Sequence, residues 1–143
     1  MGFLMRDRLI TNLFLILSLT STPQFVVAQI SIEQLFEQGN AAQQAGKYAE
    51  SEAAYRQIIQ IEPSNAAAYY KLCDVLDDQN KLDAAIAACQ KSVQLNVREE
   101  KTHNLLGYVF NRQKKLDAAV AAYKKAIQLN PKYANAYYNL ALP

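Results

Sequence analysis

A stretch of sixteen residues near the middle of the chain occurs a second time further along it. Residues 81–96 read KLDAAIAACQKSVQLN and residues 115–130 read KLDAAVAAYKKAIQLN, which agree at eleven of the sixteen places. A weaker copy, KYAESEAAYRQIIQIE, lies upstream at 47–62, so that successive copies begin 34 residues apart. A fixed period of this length indicates a repeat architecture, in which each unit buries its apolar face against the next unit.

Each repeat has room for two helices. Apolar residues recur at helical spacing on both sides of a turn, which is expected at Gly46 in the first repeat and near Asn80 in the second. Pro63 is expected to end the first helix pair. The predicted fold class is all-α, a solenoid of helix-turn-helix repeats. Its units are 32–65, 66–99, 100–133 and a truncated start of a fourth repeat at 134–143.

The N-terminal segment 1–28 has the pattern of a secretory signal peptide. Arg6 and Arg8 precede an apolar run over 9–19, and Ala28 is the expected cleavage site. The run is too short for a membrane anchor, which needs roughly 20 apolar residues. We therefore expect an exported protein, periplasmic or secreted, with no stable membrane span after cleavage. The remaining chain has a net charge of +1, which gives no reason to expect nucleic acid as a partner.

Seven spaced positions in each repeat carry a resemblance to a known family. In the third repeat these residues are His103, Leu106, Gly107, Phe110, Ala119, Tyr123 and Pro131. In the second repeat they are Tyr69, Leu72, Cys73, Leu76, Ala85, Cys89 and Val97, and the first repeat departs at four of the seven. At these positions the chain resembles the tetratricopeptide repeat family. The resemblance implies a right-handed superhelix whose first helices line a concave groove that binds a protein or peptide.

Residues at equivalent positions of the first helices are expected to be neighbours in such a stack. The predicted groove residues are Phe36, Asn40, Tyr70, Asp74, Asp77, Asp78, Lys101, Asn104, Tyr108, Asn111, Arg112 and Tyr138. Aromatic rings beside amides suit an extended peptide. Some members of the family hold a C-terminal carboxylate with lysine and asparagine. Asn40 fits that pattern, but Phe36 stands where the first lysine is expected, so this specificity is not carried over.

Three aspartates, Asp74, Asp77 and Asp78, share one face of a predicted helix. One interpretation is that they meet a basic patch on a ligand. The other is a solvated face on which Asp78 pairs with Arg112 of the next repeat. A calcium site is disfavoured because the glycine and the alternating ligands of an EF-hand loop are missing.

The two cysteines, Cys73 and Cys89, are equally far from the turn of the second repeat. Antiparallel helices would place them at the same height and facing each other. In an exported chain this favours a disulfide, which is worth about 3 kcal/mol for a loop of about 15 residues. The alternative is a pair of buried thiols that act as small apolar groups.

The sequence shows no phosphate-binding glycine loop, serine elbow or metal-spaced ligand set, so we predict no catalysis, no cofactor and no metal. The predicted function is that of an adaptor or scaffold. The alternative is the N-terminal piece of a longer envelope or enzymatic protein, because the apolar residues Tyr137, Tyr138, Leu140 and Leu142 close the chain without a polar cap. Self-association through this C-terminal face is a further possibility.

Overall fold

A computed structural model of the chain describes residues 30–96 and 98–141, and within them it contains seven α-helices and no strand. The helices are α1 (Ile32–Gln44), α2 (Tyr48–Ile61), α3 (Ala66–Asp78), α4 (Leu82–Leu95), α5 (Glu100–Arg112), α6 (Leu116–Leu129) and α7 (Ala134–Ala141). The predicted all-α class is confirmed. The predicted signal peptide lies outside the described residues.

The helices form a linear stack in which each one packs mainly on its neighbours in the chain. The first helices of successive repeats, α1, α3, α5 and α7, all begin at the same position of the repeat. Helices of 13 or 14 residues are marginal on their own in water. Their stability therefore comes from the shared core, which runs without interruption from Leu35 in α1 to Val109 in α5.

Polar residues cap the first helices of repeats 1 and 2. Ser31 accepts a hydrogen bond from the backbone of Gln34, and the Gln34 side chain accepts one from the backbone N–H of Ser31. Asn65 caps α3 by accepting from the Ala68 backbone N–H at 2.9 Å. Such caps satisfy backbone donors that the helix itself leaves unpaired.

In repeats 1 to 3, the turn between the two helices contains one residue with a left-handed backbone conformation. Gly46 and Asn80, the two residues expected there, have φ values of 72° and 58°. In the third repeat the same position holds Lys114, with φ 62°, which was not anticipated. The turn is closed in the same way, because Lys115 N–H donates to the Phe110 carbonyl at 2.9 Å. The packing of the helix pair thus imposes a conformation that costs a lysine roughly 1 kcal/mol.

A polar cluster joins the first repeat to the second around Glu52 of α2. Its carboxylate accepts hydrogen bonds from Gln79 at 2.8 Å and Lys81 at 2.9 Å, and it also pairs with Arg56. Partial burial opposes ionisation, but the hydrogen bonds from Lys81, Gln79 and Arg56 outweigh it and lower the pKa of Glu52 to about 2. The cluster therefore stabilises the fold above the usual carboxyl pKa and weakens as the pH falls towards 2.

The two helices of repeat 1 meet most closely where Gly39 faces Tyr55. A Cβ atom added to Gly39 would lie 2.6 Å from Cε1 of the Tyr55 ring, which is fully buried. Repeat 3 has the same contact, since a Cβ on Gly107 would lie 2.7 Å from Cδ1 of Tyr123. At this contact glycine is required for space, because any side chain would occupy the position of the ring.

In repeat 2 the equivalent positions hold Cys73 and Cys89, which the structure joins by a disulfide. Their Cα atoms are 5.2 Å apart, within the range that a disulfide spans without backbone movement. Both residues are fully buried.

We predict that Gly107→Ala destabilises the protein, although alanine is the better helix former by about 1 kcal/mol. The added methyl group must displace the Tyr123 ring, and overpacking of this kind costs about 1 to 3 kcal/mol. Chemical denaturation should show a net loss of about 1 kcal/mol. Gln94→Ala, on the exposed side of α4, is the control and should change stability by less than about 0.5 kcal/mol. A Gly107→Ala variant as stable as the natural chain would contradict the packing.

Candidate functional site

The first helices of repeats 2, 3 and 4 enclose a cavity of about 330 Å³. Its lining is rich in tyrosine and asparagine, and consists of Tyr70, Lys101, Asn104, Leu105, Tyr108, Tyr133, Asn135, Tyr138 and Asn139. The structure thus brings together five of the residues predicted for the groove: Tyr70, Lys101, Asn104, Tyr108 and Tyr138.

A second cavity, of about 230 Å³, shares Tyr70 and Lys101 with the first. It lies at the boundary between repeats 2 and 3, and its other lining residues are Ala66, Ala67, Ser92, Asn96, Glu99 and Thr102. We call the two connected cavities the groove. It draws on three repeats, so that it exists only when those repeats are stacked.

Sequence reasoning missed three polar residues that line the groove: Tyr133, the last residue of the third repeat, and Asn135 and Asn139 of the fourth. The period contained a signal for one of them, since Asn135 occupies in the fourth repeat the position that Lys101 occupies in the third. Asn139 is held in place by donating a hydrogen bond to the side-chain oxygen of Asn104 at 3.0 Å. The fourth repeat therefore contributes polar groups as well as the ring of Tyr138.

The hydroxyl of Tyr70 lies in an electronegative part of the groove. Burial is the main cause that raises its pKa to about 12, and the Asp74 carboxylate, Tyr133 and Glu99 act in the same direction. Tyr70 is therefore neutral at physiological pH and can donate a hydrogen bond. The same carboxylates make this part of the groove attractive to a cation.

The three aspartates of α3 separate into two environments. Asp74 and Asp78 both accept hydrogen bonds from the side-chain amide of Gln43, at 2.9 and 2.8 Å. Asp77 is buried and accepts from Arg112 Nη1 at 2.6 Å. The pairing of Asp78 with Arg112, one of the two interpretations of these aspartates, is therefore wrong. The arginine bonds to the neighbouring aspartate instead.

Arg112 thus bonds a residue that is one place further away than the repeat period, and the same shift of one residue occurs between other first helices. Three side-chain hydrogen bonds join residues that are 35 apart, one more than the repeat period: Gln43 to Asp78, Arg112 to Asp77 and Asn139 to Asn104. The reason is geometric. Equivalent residues of stacked helices point in the same direction, so a contact must join one face of a helix to a different face of the next helix.

The predicted residues of repeat 1 serve its own core. Phe36 is half-buried and its ring lies 6.2 Å from that of Tyr55, centroid to centroid. Asn40 accepts a hydrogen bond from the Tyr55 hydroxyl at 3.0 Å. Both side chains therefore position the tyrosine that packs on Gly39, and neither lines the cavities of the groove.

Asn111 lies in a different place, at the exposed end of the stack. It lines a cavity of about 140 Å³ with Leu116, Ala119, Val120, Tyr123, Asn139 and Leu140. Leu116 and Val120 remain 51% and 38% exposed there. Of the residues predicted for the C-terminal face, this cavity contains Leu140, and self-association through that face stays a prediction.

Within residues 30–96 and 98–141, no group of three or more histidine, cysteine, aspartate or glutamate residues is arranged to hold a metal ion. Nor does any helix of this part of the chain combine the length and the apolar character needed to cross a membrane. The only histidine of the sequence, His103, is buried in α5.

Stacked helix pairs with a groove along their first helices define an α-solenoid interaction module. Two family models match the chain, one described as tetratricopeptide repeat over residues 36–96 and one described as TPR repeat over residues 107–142. Together they span more than half of the sequence, and the chain belongs to the tetratricopeptide repeat family. None of the curated proteins matches the chain significantly.

Solved structures support the same assignment. The first TPR domain of Spaghetti (RPAP3), bound to the HSP90 peptide SRMEEVD, is 25% identical, with a TM-score of 0.74 over 76% of this chain and 86% of that chain. MamA is 25% identical, with a TM-score of 0.73 over 78% of this chain and 65% of MamA. An O-GlcNAc transferase of Thermobaculum terrenum is 26% identical, with a TM-score of 0.72 over 76% of this chain, which corresponds to 21% of that enzyme.

We predict that Arg112→Met destabilises the chain by about 1 to 2 kcal/mol at pH 7, because it leaves the buried Asp77 carboxylate without its partner. Burial already raises the pKa of Asp77, and Arg112 opposes that rise. Without the arginine the pKa rises further. The deficit relative to the natural chain should therefore shrink as the pH falls from 7 to 4 and Asp77 is protonated.

Denaturant titrations at the two pH values check this prediction. Lys124→Met, at an exposed position of α6, is the control for loss of a surface cation. Adding Asp77→Asn to Arg112→Met should recover part of the lost stability at pH 7. A deficit that is the same at both pH values would contradict the electrostatic origin.

Proposed function

We propose that the protein is an exported adaptor or scaffold that holds an extended segment of another protein in the groove. The observation that carries the proposal is the composition of the larger cavity, in which four tyrosines and three asparagines from successive repeats converge. Tyrosine supplies contact area at low cost in conformational entropy, and asparagine amides can bond both the N–H and the C=O groups of a peptide backbone.

The position of the groove supports an extended segment over a compact ligand. The two cavities share Tyr70 and Lys101 and continue from one repeat boundary to the next. Tyr108 and Tyr138, which are 43% and 67% exposed, present their rings to solvent. Exposed aromatic side chains in the groove suit a segment whose side chains alternate along it.

The negative charges on α3 indicate which kind of peptide segment the groove binds. Asp74 and Asp78 do not line the two cavities, but they lie on α3, the helix that carries Tyr70. They are hydrogen-bonded by the neutral amide of Gln43, so their negative charges are not neutralised by it. Arg112 is already paired with Asp77. We infer that the bound segment places a lysine or arginine next to Asp74 and Asp78. This would differ from the acidic peptide SRMEEVD in the RPAP3 structure.

Fluorescence anisotropy with two labelled peptides tests both parts of the proposal, which are binding in the groove and a preference for a basic segment. One peptide is SRMEEVD, and the other has the same length with each acidic residue replaced by lysine. We expect the basic peptide to bind at least tenfold more tightly, a difference of about 1.4 kcal/mol. The variant Asp74→Asn/Asp78→Asn should lose this preference, whereas Tyr70→Ala/Tyr108→Ala should lose affinity for both peptides.

Tyr137→Ala is the matched control, because Tyr137 is 49% exposed on α7 and does not line the groove. Its affinity for the basic peptide should equal that of the natural chain. Binding that survives the loss of Tyr70 and Tyr108 would argue against the groove. If binding depends on the groove but shows no preference for the basic peptide, only the inference that the segment is basic would be wrong.

Export rests on two observations of different kinds. The pattern of residues 1–28 is that of a cleaved signal peptide. The buried Cys73–Cys89 disulfide fits an oxidising compartment, since disulfides are rare in the reducing cytosol.

When the full sequence is expressed in a host with a secretory pathway, we expect the chain recovered outside the cytoplasm to begin at Gln29. Intact-mass spectrometry measures the start of the chain directly. Ala28→Asp is the control, because an acidic residue at the cleavage site should block processing. A chain that keeps Met1 and stays in the cytoplasm would exclude export.

A further inference from the structure

The close contact between the two helices of a repeat is built in two chemically different ways. In repeats 1 and 3 a glycine on the first helix receives a buried tyrosine ring, as Gly39 receives Tyr55. In repeat 2 the same two positions hold Cys73 and Cys89, which are bonded to each other. The disulfide therefore stands where the flanking repeats place a ring against a glycine.

Two cysteine side chains contain far fewer atoms than a tyrosine ring. A ring holds the helix pair together through many van der Waals contacts, and these do not depend on any covalent bond. Two separate thiols would leave the contact of repeat 2 with neither the ring nor the bond. Without the bond, α3 and α4 would be held at this contact only by the van der Waals contacts of two small side chains.

The location of the contact makes it consequential for the whole stack. Helix α3 packs on α2 of the preceding repeat, and α4 packs on α5 of the following repeat. Tyr70, which lines both cavities of the groove, lies on α3 with Cys73, so the helix that carries the disulfide also forms part of the groove. In a linear stack, opening one central unit separates the units on its two sides.

We propose that the Cys73–Cys89 disulfide makes the middle repeat a redox-dependent latch. In the oxidised chain α3 and α4 remain paired. In the reduced chain this pair is the first part of the stack to open, and the groove loses its α3 side. This inference concerns the stability of repeat 2 and does not depend on which ligand the groove binds.

The reaction needs a dithiol reductant. A thiolate of the reductant attacks one cysteine sulfur, breaks the S–S bond and releases the other cysteine; its second thiol then attacks the reductant's own sulfur in the mixed disulfide and releases the first cysteine. Two electrons and two protons pass to Cys73 and Cys89, which become thiols, and the reductant becomes a disulfide. Because both cysteines are fully buried, the attack requires a local opening of the stack that exposes one of the two sulfur atoms to the reductant.

The test compares the natural chain with two variants by thermal unfolding, each with and without excess dithiol. Cys73→Ser/Cys89→Ser removes the bond, and Cys73→Gly/Cys89→Tyr rebuilds the contact of the flanking repeats. The second variant has a partner for its new hydroxyl, because Asp74 occupies the position of Asn40, which accepts from Tyr55.

Reduction should lower the Tm of the natural chain by roughly 10 °C, to a value close to that of the serine variant. The serine and the glycine–tyrosine variants should not respond to the reductant, and the latter should melt at the higher temperature of the two. In hydrogen exchange, amides of α3 and α4 should lose protection in the reduced chain before those of α5 and α6.

Three results would each overturn the proposal. One is two free thiols in the exported chain when it is denatured without reductant. Another is an unchanged Tm in a natural chain whose two thiols have been titrated after reduction. The third is an equal loss of protection in all helices. The comparison of the natural chain in its two redox states decides the question even if the glycine–tyrosine variant does not fold.

Discussion

The solenoid depends on how closely the two helices of each repeat approach each other at one buried pair of positions. Helices of this length are not stable alone, so a pair must form before it can stack. A flat ring against a glycine achieves the approach in repeats 1 and 3, as at Gly107 and Tyr123. Repeat 2 achieves it with a covalent bond between Cys73 and Cys89. The three repeats share this close approach, but only in repeat 2 does it depend on a covalent bond that a reductant can break.

The boundary between repeats 2 and 3 is also chemically distinct. Ser92 and Thr102 are buried there with their hydroxyl oxygens 3.5 Å apart, and Ser92 donates to the Ala66 carbonyl. The corresponding positions at the two other boundaries are apolar: Ile58 and Ala68, and Ala126 and Ala136. The smaller cavity of the groove lies at this polar boundary. The middle of the stack thus combines the disulfide, the polar packing and the groove.

The charged side chains of this region fall into two groups, those that join repeats to each other and those that remain unpaired by an opposite charge. Asp77 and Arg112 join α3 to α5 in a partly buried pair, so that neither charge is available to a ligand. Asp74 and Asp78 keep their charge on α3. One helical turn therefore supplies both a link between repeats and an electronegative surface, and rotation about the helix axis separates the two roles.

The repeat period by itself determined the all-α solenoid and the turns at Gly46 and Asn80, because the apolar spacing and the turn residues recur with the period. It also placed Tyr70, Asn104 and Tyr138 in one row of the groove. Only the tertiary structure decided that Arg112 bonds Asp77 and that Lys114 takes a left-handed backbone. Only there do Cys73 and Cys89 come within bonding distance. These features depend on the rotation and separation of packed helices, and a linear period does not encode either quantity.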